Sequence, residues 1–227
     1  MPSIVTFIGW HNSGKTTLVS KVVHHLKELG YRVAVIKSSK EVGIEFDKPE
    51  TDTAKHKEAG ADSVLFVAPD QMVLQTSNNN LSITTLAHRY FQEADIVIGE
   101  GFKNAKQVAK IEVFRNPEHQ LRQKVRGVIA IASDLDLTGD HVFRLNESRQ
   151  IAAFIEKRFL QNKKQGAAVT SLLVNGKKIG LQEFIQQSLA GTVNGYIKSL
   201  KMVDDVREID LRITLNKINS KQQNYWS

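Results

Sequence analysis

Cysteine is absent from the 227-residue chain. That excludes disulfides, thiolate zinc sites, iron–sulfur ligation and a cysteine nucleophile. No run of about 18 apolar residues occurs, so no membrane span is expected. The opening Met1-Pro2-Ser3-Ile4-Val5 lacks a charged leader region and goes directly into strand-forming residues, which reads as a cytoplasmic chain without a signal peptide. No internal repeat is evident. Basic residues never run beyond two in a row and few aromatics lie among them, so the net charge of +7 does not read as a nucleic-acid surface. Lys and Arg outnumber Asp and Glu by 21 to 19 in residues 1–160 and by 10 to 5 after them, so most of the basic excess lies in the last third.

What is present is an ordinary globular composition, 41% hydrophobic and 24% charged. The length exceeds the roughly 100–200 residues of one domain, which predicts one full domain plus an extra piece. Residues 4–8 read as a buried strand ending at Gly9, and 15–29 as a helix with Leu18, Val22, Leu26 and Leu29 on its apolar stripe. Residues 32–36 give a second strand, so the three elements form a βαβ unit and imply a parallel sheet. A polar loop spans 38–51. Beyond it come a short helix at 52–59, strands at 63–68 and 71–76 joined at Pro69-Asp70, and a helix from Ser82 to about Ala94. Further strands are expected at 95–99, 109–114 and 127–132, followed by a helix at 148–162.

Gly166 marks a boundary after the polar run 161–165, dividing the chain into 1–165 and 166–227. The second part predicts a small α+β module. It comprises a strand at 169–174, a hairpin turn at Asn175-Gly176, a helix over 181–200 and a strand at 207–213. The fold class is thus α/β, a P-loop NTPase-type parallel sheet flanked by helices with an appended module.

The main chemical signal is Gly9-Trp10-His11-Asn12-Ser13-Gly14-Lys15-Thr16, which fits G-x-x-x-x-G-K-[ST] between a strand and a helix. Its glycines let the backbone curl so that successive N–H groups, including those of Asn12 and Ser13, face phosphate oxygens at a helix start. Lys15 is placed to reach the β- and γ-phosphates, the Thr16 hydroxyl to ligate Mg²⁺, and Thr17 to bond the α-phosphate. His11 reads as a variable side chain within the loop.

An acidic partner comes from Glu100, delivered by the apolar strand Ile96-Val97-Ile98 to the carboxyl edge of the sheet. It is a candidate to hold a metal-bound water or to orient the attacking one. Asp95, at the other end, only begins the strand. No Asn/Thr-Lys-x-Asp guanine signal is present: Asn216-Lys217-Ile218-Asn219 lacks the acid, and Asp136-Leu137-Thr138-Gly139 follows the wrong strand. The motifs alone therefore leave ATP and GTP open. A kinase acting on a small acceptor and a nucleotide-switched adaptor are equally compatible with a P-loop.

The ordered set of P-loop, Ile36-Lys37, Asp47-Lys48-Pro49, Ala59-Gly60-Ala61, Glu100-Gly101-Phe102-Lys103 and Ile129 to Asp134 resembles the MobB family, the molybdopterin-guanine dinucleotide biosynthesis protein B. The resemblance covers roughly residues 3–160. It implies a dimeric GTP-binding protein with weak GTPase activity, which assists attachment of GMP to molybdopterin beside the molybdenum cofactor guanylyltransferase. By the same resemblance Gly14, Lys15, Thr16 and Thr17 carry the triphosphate and Mg²⁺. Asp47 and Glu100 become candidates for the metal shell, and Asp134 for reading guanine. The chain departs from the family in having Ser38-Ser39-Lys40 in place of a His-rich stretch. It also has Glu50-Thr51-Asp52-Thr53 after Pro49, where Gly-Lys-Asp-Ser is usual.

Overall fold

The computed structural model describes residues 2–44, 46–161, 170–175, 177–200, 206, 208–211 and 213, without the side chains of Lys177 and Lys178. The Gly166 boundary, Gly176 and the Asn216–Asn219 segment lie outside them.

Mainly apolar runs without polar alternation can be stable only where both faces are covered, and such runs supply most of the central sheet, with β6 alternating through Lys110 and Glu112. β1 (Ser3–Ile8), β2 (Val33–Lys37), β5 (Ile96–Glu100), β6 (Ala109–Val113), β7 (Val128–Ala132) and the two-residue β8 (Val142–Phe143) pair in the order β2-β5-β1-β6-β7-β8. Every pairing is parallel. One face carries Val5, Phe7, Ile98, Ile111, Val113 and Ala132, each fully buried. It packs under α1 (Lys15–Glu28) and α4 (Ser148–Phe159), which contribute Leu18, Val22, Leu26, Ile151 and Ile155. On the other face α3 (Ile83–Tyr90) sits so close that a Cβ on Gly99 would lie 2.6 Å from Ile83 Cδ1. Helices therefore flank both faces, as expected of this fold class.

Two elements stand apart from that sheet. β3 (Ser63–Val67) and β4 (Met72–Thr76) form an isolated antiparallel hairpin next to the short helix α2 (Asp52–Glu58). β9 (Leu172–Val174) and β10 (Lys177–Ile179) form another.

The chain divides into two compact units, Met1–Ala167 with Ser171–Gly180, and Ala168–Thr170 with Leu181–Ser227. The β9–β10 hairpin, expected in a module beginning at 166, thus groups with the first unit. In the second unit α5 (Glu183–Ser199) has its carbonyl at Gln186 accepting from the Thr170 hydroxyl at 2.9 Å. Its Phe184, Ile185 and Tyr196 are exposed.

Some boundaries differ from the sequence expectation. α3 stops at Tyr90, because Phe91 turns to φ −135° and Ala94 closes a turn on the Phe91 carbonyl. The strand expected at 207–213 does not form among its described residues 208–211, where alternation is present but no paired strand is. β8 was not anticipated, since two residues carry no periodicity. Among the described residues, no helix is long and apolar enough to cross a membrane.

Candidate phosphate and metal site

β1 brings Gly9 to the carboxyl edge of the sheet against β6. A Cβ on Gly9 would lie 2.1 Å from the Val113 carbonyl oxygen, so only glycine lets the two backbones meet. The loop then turns through left-handed conformations at Asn12 (φ 58°) and Gly14 (φ 90°), and Ser13 N–H closes a turn on the Trp10 carbonyl at 3.3 Å. α1 starts at Lys15 with no side-chain cap, which leaves its first N–H groups for an anion. Ser13 is buried while Thr16 and Thr17 are exposed.

The Lys15 ammonium donates to the Trp10 carbonyl and, at 3.2 Å, to the Ser13 hydroxyl. Burial lowers its pKa below the ordinary lysine value; the Glu100 carboxylate opposes that shift and Lys37 adds to it.

Glu100 ends β5, between β1 and β2, in register with Phe7 and with Lys37. Its side chain is nearly buried, and its Oε1 accepts from the Thr16 hydroxyl at 2.6 Å with the Lys37 ammonium at 3.6 Å. Two of the three residues read as metal-linked from sequence, Thr16 and Glu100, are therefore in direct contact. A hydroxyl and a carboxylate oxygen side by side form a hard donor pair, which suits Mg²⁺ completed by phosphate oxygens and water. Among the described residues no group of three or more His, Cys, Asp or Glu could form a metal cage of protein atoms alone.

The other candidates are placed differently. The Asp47 carboxylate accepts from the Thr53 hydroxyl and, at 2.9 Å, from Lys48 N–H, closing the loop before α2. It does not line the cleft that contains the P-loop. Asp134 follows β7 as an exposed carboxylate whose Oδ1 accepts from Leu145 N–H at 3.3 Å. His11 is exposed. Asp95 pairs with Arg32 at the opposite end of β5, 3.6 Å away.

Sequence reasoning missed three contributors. Lys37 entered only as part of the Ile36-Lys37 motif after the second strand, with no role at the site. Arg115, just after β6, lines the cleft with its guanidinium 3.4–3.7 Å from the position a Gly14 Cβ would take. Trp10, inside the P-loop, has the Lys103 ammonium 5.3 Å from its ring centre and the His119 ring 5.8 Å away. The only advance signal for Lys37 and Arg115 was a cationic residue at a strand's carboxyl end.

Two buried charges on the outer face of β6 hold the walls of the cleft. The Lys110 ammonium donates to the carbonyls of Ala105, Val108 and Arg126 at 2.6, 3.1 and 2.9 Å. The Glu112 carboxylate accepts from the N–H groups of Leu121 and Arg122. A buried charge without such partners would be strongly unfavourable.

Residues 4–134 match the family model MobB, molybdopterin guanine dinucleotide synthesis protein B. The molybdopterin-guanine dinucleotide biosynthesis adapter protein of Escherichia coli K12 is 31% identical over 163 residues, which cover 68% of this chain and 92% of that one. A Methanocaldococcus jannaschii protein provisionally given the same name is 25% identical over 95% of this chain and 99% of its own length. Among solved structures, the crystal structure of a molybdopterin-guanine biosynthesis protein B superposes with a TM-score of 0.56 at 29% identity, covering 68% of this chain and 98% of that chain. Bacillus subtilis MobB shares the fold at 22% identity and a TM-score of 0.56, over 69% of this chain and 97% of its own.

Proposed function

The chain belongs to the MobB family, and from that premise we propose that it is a Mg·GTP-binding adapter in the biosynthesis of molybdopterin guanine dinucleotide. The observation that carries the nucleotide reading is the 2.6 Å hydrogen bond between Thr16 and Glu100. It joins the P-loop hydroxyl to an acid at the end of the neighbouring strand, where P-loop proteins seat the metal.

In this reading the loop amides of Asn12, Ser13 and Gly14 and the Lys15 ammonium hold the triphosphate. Mg²⁺ would be held by Thr16 and Glu100, and when bound it would supply neutralisation of phosphate charge. Asp134 accepts hydrogen bonds from the donor edge of guanine. Hydrolysis is slow, because Glu100, the buried acid of the cleft among the described residues, is engaged by Thr16 and Lys37. Asp47 serves the loop rather than the metal.

The protein works as a homodimer beside the guanylyltransferase that joins GMP to molybdopterin. The β3–β4 hairpin supports the dimer, since Leu65, Phe66, Val67, Met72, Val73 and Leu74 are exposed and cover both of its faces. A lone hairpin is marginal in water, and a second copy would bury that surface.

The test is calorimetric titration of Mg·GTP and Mg·ATP into the wild-type protein and Lys15→Ala. Lys15→Ala is expected to weaken GTP binding at least about tenfold, the size of one lost charged hydrogen bond. Unchanged affinity would refute the phosphate site, and a clear preference for ATP would refute the guanine reading.

A further inference from the structure

Glu100, the P-loop, Arg115 and Asp134 come from separated stretches of sequence, yet they follow the ends of four strands that are consecutive in the sheet, β5-β1-β6-β7. Adjacent strands lie about 4.8 Å apart, so the row spans about 14 Å along the carboxyl edge. Such a row gives a bound nucleotide a direction. The metal acid Glu100 is on the β5 side, which marks the end where β- and γ-phosphates share the cation. The side toward β6 is then the α-phosphate end, with the base beyond it toward β7.

Arg115 occupies that α side. Its guanidinium lies over Gly14, the residue before the P-loop lysine, at 3.4–3.7 Å from the site a Cβ would fill. Among the described residues no acidic side chain pairs with it, whereas Lys37 on the other side is matched to Glu100.

The segment bearing it is fixed on both sides. Upstream, Phe114 is fully buried and its N–H bonds the Ala132 carbonyl at 3.2 Å. Downstream, Asn116 caps the 3-10 turn Pro117–His119 through Glu118 N–H at 2.9 Å, and Glu112 holds Leu121 and Arg122. His119 rests against Trp10 of the P-loop. An exposed arginine with no acidic partner among the described residues, held on a fixed loop against a phosphate-binding backbone, is arranged to meet an anion with its planar fork.

We propose that Arg115 binds the α- and β-phosphates of the nucleotide from the β6 side, completing the phosphate site opposite Glu100. This rests on the nucleotide reading above. The assignment concerns the diphosphate that GTP and GDP share, so it is tested with both.

Mg·GTP and Mg·GDP are titrated into wild type, Arg115→Ala, Arg115→Lys and Lys15→Ala, with melting temperatures as the folding control. Arg115 is exposed, and its removal should leave melting unchanged. Arg115→Ala is expected to weaken both ligands by a similar factor, about ten- to a hundredfold, with the GTP-to-GDP ratio preserved. Arg115→Lys should regain part of that affinity by restoring charge without the fork. Wild-type affinity for both ligands in Arg115→Ala would overturn the assignment, as would a loss confined to GTP. If Lys15→Ala fails to bind while Arg115→Ala binds normally, only the role of Arg115 falls. If Lys15→Ala itself binds normally, the nucleotide reading falls and takes this one with it.

Discussion

Lys110 is among the most deeply buried side chains and, among the described residues, pairs with no carboxylate; three backbone carbonyls surround its ammonium instead. Burial lowers its pKa below the ordinary lysine value of 10.5. Between the lowered value and 10.5 the unfolded chain binds more protons than the folded one, so this group adds stability as pH rises through that alkaline window. Lys110→Met keeps the length and leaves three carbonyls unsatisfied, which should destabilise by about 1–3 kcal/mol at neutral pH. In urea titrations the advantage of wild type over Lys110→Met should widen as pH rises toward 10.5. A constant gap would mean that the folded ammonium titrates like a free one.

Among the elements, the P-loop with its strand and helix was legible because it is contiguous: a buried run, two glycines and an amphipathic stripe lie within 28 residues. The β3–β4 hairpin was also legible as strands, but not as an isolated pair, because strand pattern does not tell which sheet a strand joins. In it Leu65 faces Leu74, Phe66 faces Val73 and Val67 faces Met72, all exposed. The dimer proposal makes this hairpin its contact. A double change, Phe66→Lys with Val73→Lys, should convert a dimer to a monomer in sedimentation equilibrium while leaving GTP affinity within about twofold. An unaltered dimer would move the interface elsewhere. The strand expected at 207–213 shows the converse limit: among its described residues 208–211 the alternation makes no strand.

For the whole molecule, charge that looked unremarkable in sequence becomes organised in space. Residues 1–160 carry 21 basic and 19 acidic side chains, yet among the described residues the cleft is lined by eight basic ones, Lys15, Lys37, Lys40, Lys103, Lys106, Arg115, Lys124 and Arg126, against only Glu41 and Glu100 among acids. A concave basic lining focuses potential toward an anion. Such gathering could not be read in advance, because it depends on the order in which the strands are laid side by side. Lys37, Arg115 and Glu100 stand at strand ends far apart in sequence, and only the sheet makes them neighbours.

The Glu112 clamp has a consequence for how the wall of the cleft breathes. Leu121 and Arg122 belong to a surface connection, where amides ordinarily exchange with solvent through small local openings. Their N–H groups instead end on a fully buried carboxylate carried by a central strand. Releasing them strands a buried charge, so they can open only when β6 itself leaves the sheet. In hydrogen–deuterium exchange these two amides should therefore be as slow as the strand core. Glu112→Gln should bring them back to the pace of a loop.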